Sequence, residues 1–343
     1  MDLKRFSVAT FNLFNLQDPG KEMYGGEPWT DEQFKNKAWW TAWQLETLDP
    51  DIVGLQELWS ETALDRVLAA GSDELKDRYD VLAKPANGKK IVCAALVRKG
   101  LLIGEPRWED KFPDAVKLQS SEDVNDPQAP RIDVTINRFS RPVLNFQVKL
   151  RDDEPAANIF VVHLKSKLPT AVNAEAWFEG DPEVYKPHQT ALGAAISTIR
   201  RSAEAAAVRV MLTTVMKRSD TPVIVLGDIN DGQTSNTANI LTEQPRYLLG
   251  ESRGGADVGL YTAQTLQEYR DTRDVYYTHV HEGLRESLDH VLVSEQFYDN
   301  SRKRRWLFDG LVINNDHLNF DNHKDVGTGD HGVVKVSFKH DPA

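Results

Sequence analysis

The sequence predicts an α/β chain of the α+β kind, with mixed β-sheets covered by helices. Apolar runs suited to strands outnumber helical patterns, and several follow one another with no helix between, unlike a strictly alternating parallel sheet. Length agrees with one large core: 343 residues at 40% hydrophobic content fit a single domain over residues 1–343. There is no internal repeat and no low-complexity linker.

The strand runs are FSVATFNL, DIVGLQE, RYDVLAK, KIVCAALVRK, PVLNFQVKL, NIFVVHLKS, PVIVLGD, LDHVLVS and GVVKVSF. Many alternate or are bounded by Gly, Pro, Asp or Asn, as buried strands are. Helical periodicity falls over Asp31–Leu48, over Glu61–Ala70 and over the Ala-rich residues 189–217, which lack an evident cap. Residues 165–186, 250–287 and 314–329 read as long loops, which in compact domains are commonly functional.

Composition narrows the function classes. The balance of 41 basic against 52 acidic residues gives a net charge of −11, which argues against a tight, sequence-reading nucleic-acid binder. An enzyme touching a few phosphates through a metal is compatible with it. No window reaches the roughly 18 apolar residues of a membrane span, and MDLKRFSVATFNLF lacks a signal peptide's apolar segment, so a cytoplasmic location is expected. The one cysteine, Cys93, sits in IVCAALV and reads as a core residue.

The stretch VIVLGDINDG, residues 223–232, combines a strand buried on both faces with Asp228, Asn230 and Asp231 in a glycine-bounded turn. Asp and Asn are turn residues, so one such stretch means little. The pattern recurs, however. Asn12 follows VATF, Glu57 follows DIVGLQ, His163 follows IFVV, Asp289 and His290 open HVLV, and Asp330 and His331 open GVVKV. Six apolar strands each carry an acid, amide or imidazole at a boundary, where sites collect in such folds. Turn chemistry alone does not explain six.

Taken in order, FNL, LQE, FSRPVL, HLKS, GDIND, SLDHVL and GDHGVV resemble the successive blocks of the endonuclease/exonuclease/phosphatase superfamily of metal-dependent phosphoesterases. The match covers nearly the whole chain, and HLKSK and FSRPVL are most similar to its bacterial nuclease branch. The resemblance implies a four-layer α/β/β/α sandwich with one site at the shared sheet edge. It also implies Mg2+ or Mn2+ as cofactor, because hard cations take oxygen ligands and no thiolate is placed to compete.

On that resemblance Glu57 and Asp330 are the carboxylate ligands of the metal, and Asn12 steers Glu57 or reaches the metal through water. Asp228 orients and activates a water, and Asn230 holds the water or a phosphate oxygen. His331 supplies an imidazole whose tautomer Asp289 fixes, and either Asp228 or His331 takes the proton. His163 donates to a non-bridging oxygen, and Arg141 reaches a phosphate as a fork donor. Asn15 and Asp231 read as turn residues, and Lys165 and Lys167 as solvated charges.

One departure stands out: where the deoxyribonuclease branch places an acid that pairs with the histidine His163 resembles, this chain reads NGKKIVC, with Lys89 and Lys90. The expected activity is a nuclease of low sequence preference that binds nucleic acid weakly, supported by a basic and aromatic cluster at Arg302, Lys303, Arg304, Arg305 and Trp306. No protein partner is expected. A phosphatase or lipid-headgroup enzyme is the alternative, for which Trp177 and Phe178 are the membrane-facing candidates. An inactive scaffold is disfavoured because every essential side chain is present.

Overall fold

The computed structural model describes residues 2–121, 128–243, 258–271 and 277–343. All nine predicted strand runs form strands. In chain order the main strands are β1 (Arg5–Leu16), β2 (Ile52–Ser60), β3 (Tyr79–Leu82), β4 (Asn87–Arg98), β5 (Leu102–Lys111) and β6 (Arg138–Val148). They continue with β7 (Ala157–His163), β8 (Val223–Asp228), β9 (Tyr261–Thr262), β10 (Asp289–Val293), β11 (Trp306–Asn314) and β12 (Val333–His340). The chief helices are α1 (Asp31–Leu48), α2 (Glu61–Ala70) and α3 (Gln189–Met216).

The strands build two six-stranded sheets, ordered β11-β12-β1-β2-β4-β3 and β9-β10-β8-β7-β6-β5. Each is mixed: β1 pairs parallel with β2 and β7 parallel with β8, while β12 and β10 join them antiparallel. The sheets pack face to face through one apolar layer that includes Val8, Ile52, Val161, Leu226, Val291 and Val336. Helices α1 and α2 cover the outer face of the first sheet, and α3 covers that of the second. This is the expected four-layer sandwich. Helix α1 starts at a capping box, with Thr30 and Gln33 each bonding the other's backbone amide, while α3 has no side-chain cap.

Alternation along β8 sets the site. Ile224 and Leu226 face the partner sheet, whereas Val223 and Val225 face α3. By the two-residue period of a strand, Asp228 continues the inward row. Gly54 of β2 lies where the sheets approach closely, for a Cβ there would stand 2.8 Å from Leu226 Cβ.

Three of these twelve strands were absent from the sequence expectation: the two-residue β9, which falls in the stretch read as a loop, and β5 and β11. Strand β5 is an edge strand with a mostly exposed, charged sequence, so no apolar run announced it. Strand β11 corrects the reading of the basic cluster. Trp306 is buried and packs edge-on against Phe6 at 4.7 Å. It lies opposite His340, at the end of β12 away from Asp330 and His331. Seven residues of strand separate the two ends of β12, roughly 23 Å at about 3.3 Å per residue. Lys303 pairs with Asp220, Arg304 with Asp341 and Arg305 with Glu154. The cluster is therefore an ion-paired surface at the far end of the sandwich, and it does not support nucleic-acid binding at the site.

The 165–186 segment contains short helices Ala176–Gly180 and Pro182–Tyr185. Phe178 is buried within it, so of the two expected membrane-facing aromatics only Trp177 is partly exposed. Within the stretch 250–287, read as a loop, residues 250–257 and 272–276 lie outside the described residues, and the rest includes a helix, Ala263–Glu268, and a hairpin of His279–His281 with Leu284–Glu286. Among the described residues no helix is long and apolar enough to cross a membrane.

Gly54→Val should be costly, because the new side chain has no space between the packed sheets. Overpacking of this kind typically costs about 1–3 kcal/mol. A lowered denaturant midpoint at unchanged slope is expected, and an unchanged midpoint would contradict the close approach.

Candidate active site

Register brings the site together from the second sheet. Asp228 stands opposite His163 on β7 and opposite Asp289 on β10. The three side chains therefore close adjacent inward-facing rows at one end of the sandwich. From the first sheet, Asn12 reaches across the layer, and its Nδ2 donates to Asp228 Oδ2 at 3.2 Å.

Glu57 arrives by a different device. Between Leu55 and Leu58, β2 holds one residue more than the β4 segment it pairs with, and Glu57 takes a left-handed φ of +60°. This bulge re-aims a side chain that simple alternation would send the other way. Strand β1 has its own irregularity between Asn12 and Leu16, where Phe14 and Asn15 are both left-handed. That turn aims the Asn15 amide at Glu57 Oε2, 2.9 Å away, and Trp59 Nε1 holds the Asn15 side chain at 2.9 Å. Asn230 is also left-handed at φ +55°. Non-glycine residues in this region cost energy, and the meeting of Phe14, Asn15, Glu57 and Asn230 makes this junction the candidate active site.

The junction is tight. His163 Nε2 lies 3.6 Å from Asp228 Oδ2 and 3.9 Å from Glu57 Oε1. His331 Nε2 lies 3.9 Å from Asp228 Oδ2, and its Nδ1 is bonded to Asp289 Oδ2 at 2.8 Å. The tautomer-fixing role expected of Asp289 has this contact as its basis. The Asp228 carboxylate accepts the Asn230 backbone amide at 2.8 Å, while Asn230 Nδ2 and Arg141 Nη1 both donate to the Leu164 carbonyl, at 3.0 and 3.2 Å. One Asn230 amide hydrogen is therefore committed to the protein. Arg141 sits at the rim, where its charge acts on both His163 and Glu57.

The electrostatics are dominated by dehydrated carboxylates. Burial first, and then the charge of Asp330, raise Glu57 above the ordinary carboxylate range. Burial likewise pushes Asp228 up to about 7, against the lowering effect of His331. Burial would depress His331, but the charges of Asp289, Asp228 and Asp330 prevail and hold it well above its usual value. His163 is held well below, by burial and by the nearby Arg141 and His331 cations, and so stays neutral. Its Nδ1 is buried without a protein partner among the described residues. Lys89 and Lys90, which stand where the resemblance expects an acid, lie exposed on β4.

A hard dication fits this set. Glu57 and Asp330 repel one another, and Asp330 Oδ1 is buried with no partner among the described residues. A divalent ion would remove both penalties. Asn12 faces Glu57 as well as Asp228, so it orients both carboxylates. Asn15, read from the sequence as turn chemistry, is indeed a left-handed turn and also a donor to Glu57. Asp231 is structural, bonded to Thr237 and paired with Arg201. His290 turns away from Asp228 to the carbonyls of Asp231 and Ser287. Lys165 bonds nearby Ser166 and Leu168, and Lys167 pairs with Glu286, so neither enters the cluster.

Three neighbours were missed in the sequence. Lys37 is fully buried, donates to the Thr328 carbonyl at 3.1 Å and is lowered to about 7 by burial against the pull of Asp330 and Glu57. Its signal was a lysine on the apolar face of α1, in register with Phe34, Ala38 and Thr41. Tyr24 bonds Arg141 and packs edge-on against Trp59 at 4.9 Å. His279 forms an isolated bridge with His331, their rings 4.9 Å apart. Nothing in the local sequence marked either.

No family model matches the chain, and no curated protein does. Solved structures share the fold. D. rerio TDP2 complexed with single strand DNA product is 14% identical with a TM-score of 0.55, covering 98% of this chain and 100% of that one. An endonuclease/exonuclease/phosphatase from Bacteroides vulgatus is 12% identical at 0.54, covering 99% and 100%. The human Nocturnin catalytic domain is 13% identical at 0.53, covering 99% and 97%. The chain thus has the endonuclease/exonuclease/phosphatase, or deoxyribonuclease I-like, fold that the sequence blocks resemble.

The raised carboxyl groups make stability depend on pH. A group whose pKa rises on folding contributes stability that is complete below its unfolded value and is lost as pH rises through its folded value. For Asp228 that window runs from its ordinary 3.8 to about 7. His331, also raised, acts in the same direction as pH climbs further. With chelator present, the stability of wild type relative to Asp228→Asn should fall across the Asp228 window in urea denaturation. A difference that rises with pH would contradict the assignment.

Proposed function

We propose that the chain is a divalent-metal-dependent phosphoesterase that hydrolyses phosphodiester bonds in nucleic acid with little sequence preference. The observation that carries this is the meeting of Asn12, Glu57, His163, Asp228 and His331 at one buried junction, each within 4 Å of another's polar atoms. Phosphodiester hydrolysis needs an anion neutralised, a water aimed in line and charge stabilised on the leaving oxygen.

The residues divide these tasks. Glu57 and Asp330 would hold Mg2+ or Mn2+, and the ion supplies Lewis-acid stabilisation of the phosphoryl oxygens when bound. Asp228, anchored by Asn12 and the Asn230 amide, orients the attacking water, and its raised pKa suits it to accept a proton near neutrality. His331, fixed by Asp289, offers Nε2 as a donor toward the same point. Neutral His163, with Arg141 beside it, donates to non-bridging oxygens.

Support for a nucleic-acid substrate comes from a cleft at the rim. It has a volume of about 450 Å³ and is lined by Lys21, Lys89, Lys90, Tyr24 and Trp59. Tyr24 links this cleft to Arg141. Lysines positioned for neighbouring phosphates and an exposed aromatic ring suit a strand that continues past the cleaved bond. The DNA-product complex of the similar TDP2 fold is consistent with it. With few cationic contacts on a chain of net charge −11, binding would be loose and only shallowly salt-dependent.

In magnesium, supercoiled plasmid or single-stranded DNA should be cut by wild type, and chelator should abolish cutting. Asp228→Asn should lower the rate by roughly 10² to 10⁴, the range for a positioned acid or base. Equal rates for wild type and mutant on DNA, with mutant-sensitive phosphate release from a monoester, would replace the nuclease reading by a phosphatase.

A further inference from the structure

Five of the nine histidines, His279, His281, His317, His323 and His331, gather on one side of the site. Three of them, His279, His281 and His323, line a cleft of about 670 Å³ together with Asp330 and Asp321. The proposed hydrolysis makes no use of His279. Yet ligand atoms of His279, Asp330 and His331 all lie within 4.8 Å of one another.

The backbone imposes this closeness. His279 and His331 face each other in an antiparallel bridge, secured by the Gly332 amide on the Thr278 carbonyl at 2.7 Å. Directly opposed residues of such a bridge have neighbouring Cβ atoms, so both imidazoles lie on one side. Asp289 occupies Nδ1 of His331, which leaves Nε2 to meet a metal ion once its proton is released to solvent. A carboxylate bonded to one imidazole nitrogen while the other meets an ion is the arrangement that orients histidine ligands of zinc. Asp330 adds an oxygen donor whose Oδ1 is buried and unpartnered among the described residues. Two imidazoles and one carboxylate at the mouth of an open cleft favour zinc over magnesium, and leave room for a water as fourth ligand.

We propose that His279, His331 and Asp330 form a zinc site that shuts off the hydrolytic centre. Zinc there occupies Nε2 of His331 and draws Asp330 away from the magnesium position, so the two metals exclude one another. The site's existence depends only on these three residues. Its inhibitory effect rests on the phosphoesterase reading.

Two measurements separate these parts. Calorimetric titration of zinc into the purified protein, in magnesium-free buffer, should show one tight site whose apparent affinity falls as magnesium is added. His279→Ala should weaken it by more than the roughly 10- to 100-fold that loss of an outer-shell partner costs. His279→Gln, which keeps a polar side chain, repeats the test, and circular dichroism verifies the fold of both. In DNA cleavage with magnesium, stoichiometric zinc should inhibit wild type, while His279→Ala keeps its magnesium rate and resists zinc. Zinc affinity unchanged in both variants, or no tight site in wild type, overturns the site. Tight binding lost in the variants with equal zinc inhibition of all three proteins overturns the switch. If wild type binds zinc through His279 but cuts nothing, the site stands and the phosphoesterase reading fails.

Discussion

The site is organised around negative charge brought out of water. Glu57, Asp228, Asp289 and Asp330 converge at one end of the sandwich, with His331 as the cation inside the cluster and Arg141 and Lys37 at its borders. Dehydrating several carboxylates together is unfavourable unless partners compensate. The surrounding structure can be understood as what holds them despite that cost. The inter-sheet core supplies rigidity, Asn12 ties the sheets across the gap, and the bulges in β1 and β2 aim Asn15 and Glu57 where regular strands would not.

The remaining repulsion has a use. A protein that balanced these charges internally would have little to gain from a cation, whereas here Glu57 and Asp330 would both gain from a bound dication. Raised carboxyl groups in the metal-free state are the other side of metal affinity, since the ion replaces the protons. The same logic reaches Lys37, whose ammonium is weakened by burial yet drawn by the charges of Asp330 and Glu57. Its bond to the Thr328 carbonyl also fastens the chain just ahead of Asp330 to α1.

Much of this was legible because strand ends are short-range features. In β8 an apolar run, a glycine and two polar residues at alternate positions gave both the strand and the direction of Asp228. Register between strands is not written locally, so the alignment of Asp228 with His163 and Asp289 became visible only in the sheet. Glu57 was found by its position after an apolar run, but the bulge that aims it left no sequence mark. Tyr24 and His279 escaped for the same reason, for Tyr24 reaches the site through a loop and His279 through the short hairpin strand His279–His281, and the path of each depends on tertiary packing. The 302–306 cluster misled because a run of basic residues says nothing about which end of the sandwich it occupies, and its Trp306 belongs to the core.

If the carboxylates gather to hold a hard dication, the ion lies at the end of the sandwich where Asp228 and His331 meet. Crystals soaked in Mn2+ and measured for anomalous scattering test it directly. The account predicts one strong peak coordinated by Glu57 and Asp330, beside the Asp228 and His331 pair. Absence of a peak between those two carboxylates at saturating Mn2+, or a peak elsewhere with Glu57 unliganded, would contradict it.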